Sequence, residues 1–289
     1  MKLRRLLGLI GLLAWHAQGQ TTLQVATRTI EQHYESVRNL TITGERADID
    51  IRVWDKETIQ INVNLSARHP DRAVARKELE SLQFTGEKSG KRLFLRNFLI
   101  APASGKLTSS FKTSMVIWLP ARCPLVVKQN FGSLKVTGLQ ADFQASTEFS
   151  KISLKAMQGE VQLESHYGDL EASNLSGKVR LNTEYTNLKL SDVQGSCTVR
   201  SQGGEAEIRA DRQLVKLEVK AQKTNIRLLN LEQTPFTYQL QAEYGQIELP
   251  RNANFTWQTN TPTLRKVVLH ARKGGLIDVQ TTFATISLR

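Results

Sequence analysis

Pairs of apolar residues separated by one residue recur every nine positions through the middle of the chain. The pairs are Leu125/Val127, Leu134/Val136, Phe143/Ala145, Ile152/Leu154, Val161/Leu163, Leu170/Ala172, Val179/Leu181, Leu188/Leu190, Cys197/Val199, Ala206/Ile208 and Val215/Leu217. Side chains alternate across a pleated strand, so each pair is typical of the inward face of a short strand. The pattern therefore predicts a series of short strands, each followed by a turn.

The predicted turns alternate between two kinds, which makes the full repeat eighteen residues long. One kind has an aromatic residue before a small one, at Phe131-Gly132, Phe149-Ser150, Tyr167-Gly168 and Tyr185-Thr186, and Gly203-Gly204 continues the series. The other kind has Leu139, Met157, Leu175 and Val193, with Gly159, Gly177 and Gly195 two residues after the last three. Tyr244-Gly245 and Phe283-Ala284 repeat the first kind further along the chain. We predict that these are the structural turns of a repeat.

Short repeats that cannot each bury their own apolar face are typical of a solenoid. We predict an all-β protein, with a β-solenoid of about 18 residues and two strands per coil over residues 121–289. No proline occurs between Pro124 and Pro235, as expected for strands that are hydrogen-bonded on both edges. An antiparallel meander that closes into a barrel is the alternative.

Residues 20–120 predict a β-rich cap over the first coil of the solenoid. Alternating runs occur at 47–54, 58–65, 91–95 and 113–119, and a helix is predicted from Asp71 to Leu82, after Pro70. Solenoid ends need covering because an open coil exposes unpaired backbone groups.

Residues 1–19 have the pattern of a secretory signal peptide. Lys2, Arg4 and Arg5 precede an apolar run from Leu6 to Trp15, and Ala17-Gln18-Gly19 follows, which is the order of segments in an export signal. The run is shorter than the ~20 residues of a spanning helix, and no later stretch is long enough. No cysteine lies near the expected cleavage point, so we predict an exported protein without a lipid anchor or transmembrane segment.

The composition excludes disorder and a helical membrane protein, because 40% of residues are hydrophobic and 23% are charged. Loss of Lys2, Arg4 and Arg5 with the signal lowers the formal net charge from +12 to +9. A basic exported protein meets anionic surfaces such as glycans and acidic lipids. The basic residues are dispersed along the chain, which favours a solvated surface and gives no sign of a nucleic-acid partner.

No pattern of catalytic, metal-binding or cofactor-binding residues is present in the sequence. A calcium-binding β-roll needs Gly-Gly-x-Gly-x-Asp turns in each repeat, whereas Gly168-Asp169 occurs once. His33, His69, His166 and His270 lack a second ligand at helical spacing. Outward carboxylates at Glu164, Asp169, Glu171, Glu205 and Glu207 leave one enzymatic alternative, a polysaccharide lyase or hydrolase of the β-helix type. We predict a protein that is not an enzyme and binds no cofactor or metal.

The two cysteines are predicted to be free thiols, with Cys197 buried. Cys197 occupies the same inward column as Leu125, and Cys123 lies two residues before Leu125. Four coils then separate them by about 19 Å, beyond the ~7 Å between α-carbons that a disulfide allows.

The segment Ile49-x-Ile51-x-Val53-Trp54-Asp55-Lys56-x-Thr58-Ile59, the Leu119-Pro120 before the repeats and the serial aromatic-Gly turns resemble the bacterial putative-adhesin family of β-strand-repeat proteins, a domain of unknown function. The resemblance implies an exported β-solenoid in the periplasm or on the surface of a Gram-negative bacterium. It supplies no catalytic residues. Ser150 and Thr186 replace the turn glycine. We expect a non-catalytic adhesin-like or scaffold protein that contacts an envelope polymer, such as an anionic glycan, or a partner protein.

Overall fold

A computed structural model of the chain describes residues 23–101, 105–229, 236–251, 254–271 and 274–289. The predicted signal peptide lies outside these residues. The described chain contains one helix and fourteen strands in a single sheet. The helix is α1 (Arg72–Leu79), and the strands are β1 (Gln24–Glu35), β2 (Asn39–Trp54), β3 (Thr58–His69), β4 (Leu82–Ser89), β5 (Arg92–Leu99), β6 (Ser110–Pro120), β7 (Leu125–Thr137), β8 (Phe143–Leu229), β9 (Thr237–Glu243), β10 (Gln246–Glu248), β11 (Thr256–Asn260), β12 (Leu264–Leu269), β13 (Leu276–Thr282) and β14 (Thr285–Leu288).

The centre of the molecule is a rod of parallel coils. β7 pairs in parallel with the first part of β8, with Leu125 opposite Phe143 and Thr137 opposite Lys155, so each residue lies beside the one eighteen positions later. β8 extends over 87 residues and runs through several successive corners without interruption. The all-β solenoid prediction is confirmed, and the parallel pairing excludes the antiparallel meander for β7 and β8.

The core of the rod consists of the inward apolar columns. Phe143, Ile152, Val161, Leu170 and Val179 are each no more than 1% exposed. The same alternation continues on the next coils, and each coil buries its apolar pairs against the coils on both sides. A single coil has no core of its own, so the rod is held by burial between neighbours.

One predicted pair is wrong. Val215 is 65% exposed, whereas Leu217 and Val219 form the inward pair, 1% and 0% exposed. This pair follows Cys197/Val199 by twenty residues, so the coil that begins after Ile208 is two residues longer than those before it. The extra residues leave Val215 on an outer bend, beside the buried Leu214.

β2 adds a coil before β7 and connects the rod to the N-terminal layer. Leu40 lies opposite Leu125 and Arg52 opposite Thr137, in parallel. The first part of β2 pairs with β5 and the second part with β6, also in parallel. β4, β3 and β1 then add antiparallel strands at this end. The division at residue 120 stays a prediction.

The helix is shorter than predicted. α1 begins after Asp71, whose side chain accepts a hydrogen bond from the backbone N–H of Ala73 at 2.7 Å. It ends at Leu79, and Leu82 instead begins β4, where its side chain is buried. Ala75 and Leu79 are the buried residues of the helix, which contacts β1 and β3.

The far end of the rod departs from sequence order. β13 lies in parallel between β8 and β9, with Leu276 opposite Lys216 on one side and Thr237 on the other. β14 likewise lies between β8 and β10. Residues 276–288 therefore sit between two stretches that precede them in the chain. The antiparallel strands β12 and β11 follow β9 at this end.

Candidate functional site: the aromatic corner and its flanking faces

The predicted aromatic turns form one exposed corner along the rod. Phe131, Phe149, Tyr167 and Tyr185 all have left-handed backbone conformations, with φ of 60°, 50°, 56° and 48°. This conformation is uncommon for residues other than glycine. The four side chains are 46–55% exposed, and their rings stack with centroids 5.0–5.2 Å apart and planes within 8° of parallel. We call this set the aromatic ladder.

The spacing of the ladder follows from the parallel register. Equivalent residues on adjacent parallel strands lie about 4.8 Å apart, which is close to the separation of stacked rings. Inner rings thus have both faces covered by neighbours, and only their edges and the tyrosine hydroxyl ends are turned to solvent. The ladder is suited to stiffening the corner and presenting ring edges, and it leaves no space between rings for a sugar.

The glycine that follows Phe131, Tyr167 or Tyr244 lies against the backbone of the adjacent coil. A Cβ atom on Gly132, Gly168 or Gly245 would lie 2.1, 2.1 or 2.0 Å from the carbonyl oxygen of the adjacent coil. Ser150 and Thr186 occupy two equivalent positions and are buried. Their hydroxyls donate to the carbonyls of Glu148 and Glu184 at 2.9 and 3.0 Å, so these departures from glycine satisfy their own polar groups.

The ladder has two different ends. The guanidinium of Arg46 lies 5.9 Å from the ring centroid of Phe131. At the other end, Gly203 provides no ring, and a Cβ atom there would lie 2.9 Å from Cδ1 of Tyr185. A second stack pairs Tyr244 with Phe283, with centroids 5.4 Å apart. The predicted series is therefore interrupted at Gly203.

One face beside the corner carries a shallow polar groove of about 630 Å³. Its outward side chains include Glu164, Asn182, Arg200, Gln202 and Lys220. His166 and Glu184 approach to 3.0 Å within it. Beneath the groove, the hydroxyl of Thr183 donates to Ser201 at 3.0 Å, and Ser201 lies 3.2 Å from the hydroxyl of Thr224. These contacts hold three successive coils together under the polar surface.

The other face carries a groove of about 550 Å³ that brings four predicted carboxylates together. Asp169, Glu171, Glu205 and Glu207 line it with Lys151, Lys189 and Arg227, whereas Glu164 lies on the opposite face. Arg227 pairs with Glu207 at 3.2 Å, and the amide of Asn187 donates to Asp169 at 3.1 Å. The groove is a mixed-charge surface formed by outward columns of the parallel strands.

Both thiols lie inside the protein. Cys123 and Cys197 are buried and form no disulfide. Burial raises the pKa of Cys197 to about 12 and that of Cys123 to about 11. Since the thiolate is the nucleophile, these side chains are unreactive in the folded protein.

Among the described residues, no group of three or more histidine, cysteine or acidic side chains is placed to hold a metal ion. Within the same part of the chain, no helix has the length and apolar character needed to cross a membrane.

One exposed feature was not singled out from the sequence. On β5, Arg92, Phe94, Arg96 and Phe98 alternate with the buried Leu93, Leu95 and Asn97. Phe94 is 42% exposed, and the Arg96 guanidinium lies 5.2 Å from the ring centroid of Phe98. The signal was available as a two-residue alternation of arginine and phenylalanine, but its exposure depends on what packs beside the strand. We call these four outward residues the Arg–Phe stripe.

The chain is similar to a described protein family and to several solved structures. The family described as Toastrack DUF4097 matches residues 37–274. No curated protein matches the chain. A solved "putative adhesin" from Bacteroides fragilis is 12% identical, has a TM-score of 0.47 and covers 91% of this chain and 97% of that one.

Two further solved structures are similar. A "putative lipid binding protein" from Parabacteroides distasonis is 10% identical with a TM-score of 0.40, and the match covers 91% of this chain and 96% of that chain. A "putative adhesin" from Parabacteroides merdae is 11% identical with a TM-score of 0.40, covering 92% and 96%. All three TM-scores lie below 0.5.

Proposed function

The chain belongs to the Toastrack DUF4097 family, and on this premise we propose that it is an exported, non-catalytic cell-envelope protein whose rod binds an envelope polymer or a partner protein. Family membership agrees with the resemblance to putative-adhesin proteins that the aromatic turns indicated. The observation that carries the proposal is the repetition of polar groups along both faces of the rod. Equivalent outward positions on successive coils recur at the strand spacing and carry polar side chains on both faces.

A repeating surface suits a repeating ligand. Each coil offers a small set of polar contacts, such as Asn182, Arg200 and Lys220 on the face beside the aromatic ladder. A polymer bound by one coil is held close to the next, so individually weak contacts add through effective concentration. The parallel coils and the stacked rings keep the spacing of these contacts fixed, which lowers the ordering cost of binding.

Charge supports an anionic polymer, with an acidic partner protein as the second possibility. The sequence without the predicted signal has a net charge of +9, and a basic surface increases the rate at which acidic ligands are encountered. We propose export to the cell envelope, in the periplasm or at the surface of a Gram-negative bacterium, without a lipid anchor.

The mixed-charge groove that contains Asp169, Glu171, Glu205 and Glu207 is the observation that bears on the enzymatic alternative. Glycoside hydrolysis needs a carboxyl pair fixed in a cleft, one member of which acts as an acid. Here Glu207 pairs with Arg227, and Asp169 accepts a hydrogen bond from Asn187 on an open surface. Both carboxyl groups are held by polar partners on an open surface and not as a fixed pair in a cleft, so we propose a binding role for this face as well.

The first test is protease treatment of intact cells, followed by detection of the protein. Digestion without lysis supports a contact role at the cell surface. Protection until the outer barrier is broken restricts the proposal to periplasmic polymers and partners.

The second test measures binding of the purified protein to immobilised envelope polysaccharide, lipopolysaccharide and peptidoglycan. The double variant R200E/K220E reverses charge beside the aromatic ladder, and K151E/K189E is the matched change on the opposite face. Loss of binding in one variant alone identifies the face that binds. Equal binding by both variants and the wild type contradicts a role for either face. Release of reducing ends from an anionic polysaccharide by the wild type would replace the binding role with a catalytic one.

A further inference from the structure

We propose that the Arg–Phe stripe of the β4–β5 hairpin docks the rod onto the surface of an anionic lipid membrane. This surface lies in the N-terminal layer, apart from the grooves of the rod, and the inference does not depend on the polymer proposal. The proposal identifies a membrane as a second kind of partner. It also predicts that the N-terminal end of the rod faces that membrane.

The stripe results from strand geometry. Leu93 and Leu95 point into the core and are 0% and 1% exposed, so the side chains between them project from the opposite face of the sheet. Arg92 and Arg96 lie four residues apart, about 13 Å along the strand at the usual rise per residue. Phe94 lies between them and points in the same direction.

The neighbours of Phe94 leave its ring partly exposed. Glu87 lies opposite on β4, and Thr41 lies opposite on β2. Neither provides an apolar surface, and Phe94 is 42% exposed. Ile100, just beyond the strand, is 51% exposed. An apolar surface of this kind, flanked by charged residues, is typical of an interaction site more than of a solvated strand.

Charge around the stripe is predominantly positive. Lys91, Arg92, Arg96 and Lys128 are exposed on this part of the sheet, where Arg96 and Lys128 both lie opposite Thr43 of β2. None of these four cations forms an ion pair within the described residues. The acidic side chains beside the stripe are Glu45 and Glu87.

This combination fits a lipid surface better than a hydrated polymer. The exposed ring of Phe94 is stabilised at the boundary between headgroups and acyl chains. Arginine can bind a lipid phosphate with two parallel hydrogen bonds. Their alternation on one face lets both kinds of contact form when the hairpin lies flat on the bilayer.

The test is flotation of the purified full chain with lipid vesicles. Vesicles of phosphatidylglycerol mixed with phosphatidylcholine are expected to carry the protein, whereas vesicles of phosphatidylcholine alone are not. Added salt weakens the association because the charges are exposed. Each basic residue near an anionic surface contributes about fivefold to the partition coefficient, so R92Q/R96Q is expected to lower it by about 25-fold.

Matched variants separate the stripe from general effects. K151Q/K189Q removes two cations from the rod, and Phe149→Ser removes a ring that is 50% exposed in the aromatic ladder; both are expected to retain binding. Phe94→Ser is expected to reduce binding. Phe94→Trp keeps the apolar contact, and its fluorescence is expected to shift to shorter wavelength when vesicles are added, which checks insertion in a folded variant.

Three results would each overturn the proposal. The first is equal flotation with neutral and anionic vesicles. The second is binding to anionic vesicles that R92Q/R96Q and Phe94→Ser leave unchanged, and the third is the absence of a blue shift for Phe94→Trp. If the stripe variants instead abolish binding to purified polysaccharide and leave vesicle binding intact, the surface belongs to the polymer. Failure of the vesicle test leaves the rod-face proposal standing, because that proposal is measured with other variants and other ligands.

Discussion

The two corners of a coil have the same backbone conformation. Their large side chains, however, lie on opposite sides of the backbone. At the aromatic corner, Tyr167 has φ of 56°, is 48% exposed and is followed by Gly168. At the opposite corner, Asn174 has φ of 52° and is followed by Leu175, which is 0% exposed. In both, the residue with positive φ points outward and the next residue points inward.

The two corners differ in how much space is available for the side chain of the inward residue. At the aromatic corner, a Cβ atom on Gly168 would lie only 2.1 Å from the carbonyl oxygen of Ser150. At the opposite corner, Leu139, Met157, Leu175 and Val193 stack as a buried column, each no more than 1% exposed. Stability should therefore depend on core packing at one corner and on close backbone contact with surface stacking at the other.

The largest expected effect is the loss of packing at the opposite corner. Leu175→Ala should lower the free energy of unfolding by about 4 kcal/mol, because the neighbouring coils cannot collapse into the cavity. Urea denaturation followed by circular dichroism measures this. Leu175→Met is the volume-conserving control and should cost less than about 1.5 kcal/mol. Equal costs for the two variants would contradict a tightly packed column.

A smaller loss is expected from steric overlap at the aromatic corner. Gly168→Ala should lower the unfolding free energy by about 2 kcal/mol, because the new methyl group meets the backbone of the adjacent coil. Gly90→Ala is a useful control. Gly90 has φ of 58°, and a Cβ atom there would have nothing within 4 Å, so its cost should come from backbone conformation alone. A cost at Gly168 no larger than at Gly90 would argue against close approach of the coils.

The thiol beside the opposite corner makes stability depend on pH. Cys197 lies two residues after Gly195, and burial raises its pKa from 9.0 to about 12. The buried neutral thiol contributes its full stabilisation below the unfolded value, and that contribution is lost as pH rises towards the folded value. From about pH 8 to about pH 10, the loss should be about 1.4 kcal/mol for this residue.

The comparison with Cys197→Ala isolates this effect from other groups that titrate at high pH. Urea denaturation of both proteins at the two pH values should show a smaller loss in the variant. An identical loss in the two proteins would mean that the Cys197 thiol ionises without unfolding.

The smallest effect is expected in the aromatic ladder itself. Tyr167→Ala should cost about 1 kcal/mol, since two stacking contacts are lost at an exposed position. Tyr167→Phe keeps the stack and should be close to neutral. Thermal denaturation of both variants checks the difference, and a cost for Tyr167→Phe as large as for Tyr167→Ala would assign the contribution to the hydroxyl group.

Local alternation was sufficient to predict the solenoid, because the fold follows from which side of a strand each residue occupies. It failed at Val215, since Leu217 belongs to both the predicted pair and the observed one, and a two-residue lengthening leaves the alternation intact. The predicted helix extended to Leu82 because periodic apolar residues continue there, while tertiary pairing with β5 makes Leu82 the start of a strand.

The candidate surfaces were predicted less completely than the fold. The carboxylates were identified as outward residues, and the predicted turn at Tyr167-Gly168 already separates Glu164 from Asp169 and Glu171. The pairing of Glu207 with Arg227, twenty residues later, depends on the lengthened coil after Ile208 and was not predicted. The exposure of Phe94 depends on Thr41 and Glu87, which reach it through pairing with strands distant in sequence. Such neighbours are set by the stacking order, and local periodicity carries no information about stacking order.

The position of residues 276–288 between β8 and the β9–β10 stretch has a consequence for how the molecule is assembled during synthesis. Coils up to Leu229 can add one after another as the polypeptide emerges, since each pairs with a coil already made. β9 and β10 cannot, because their parallel partners β13 and β14 are synthesised after them. The final coils therefore close after residue 288 has been made, and until then the outer edge of β8 is an unprotected strand open to the wrong partner.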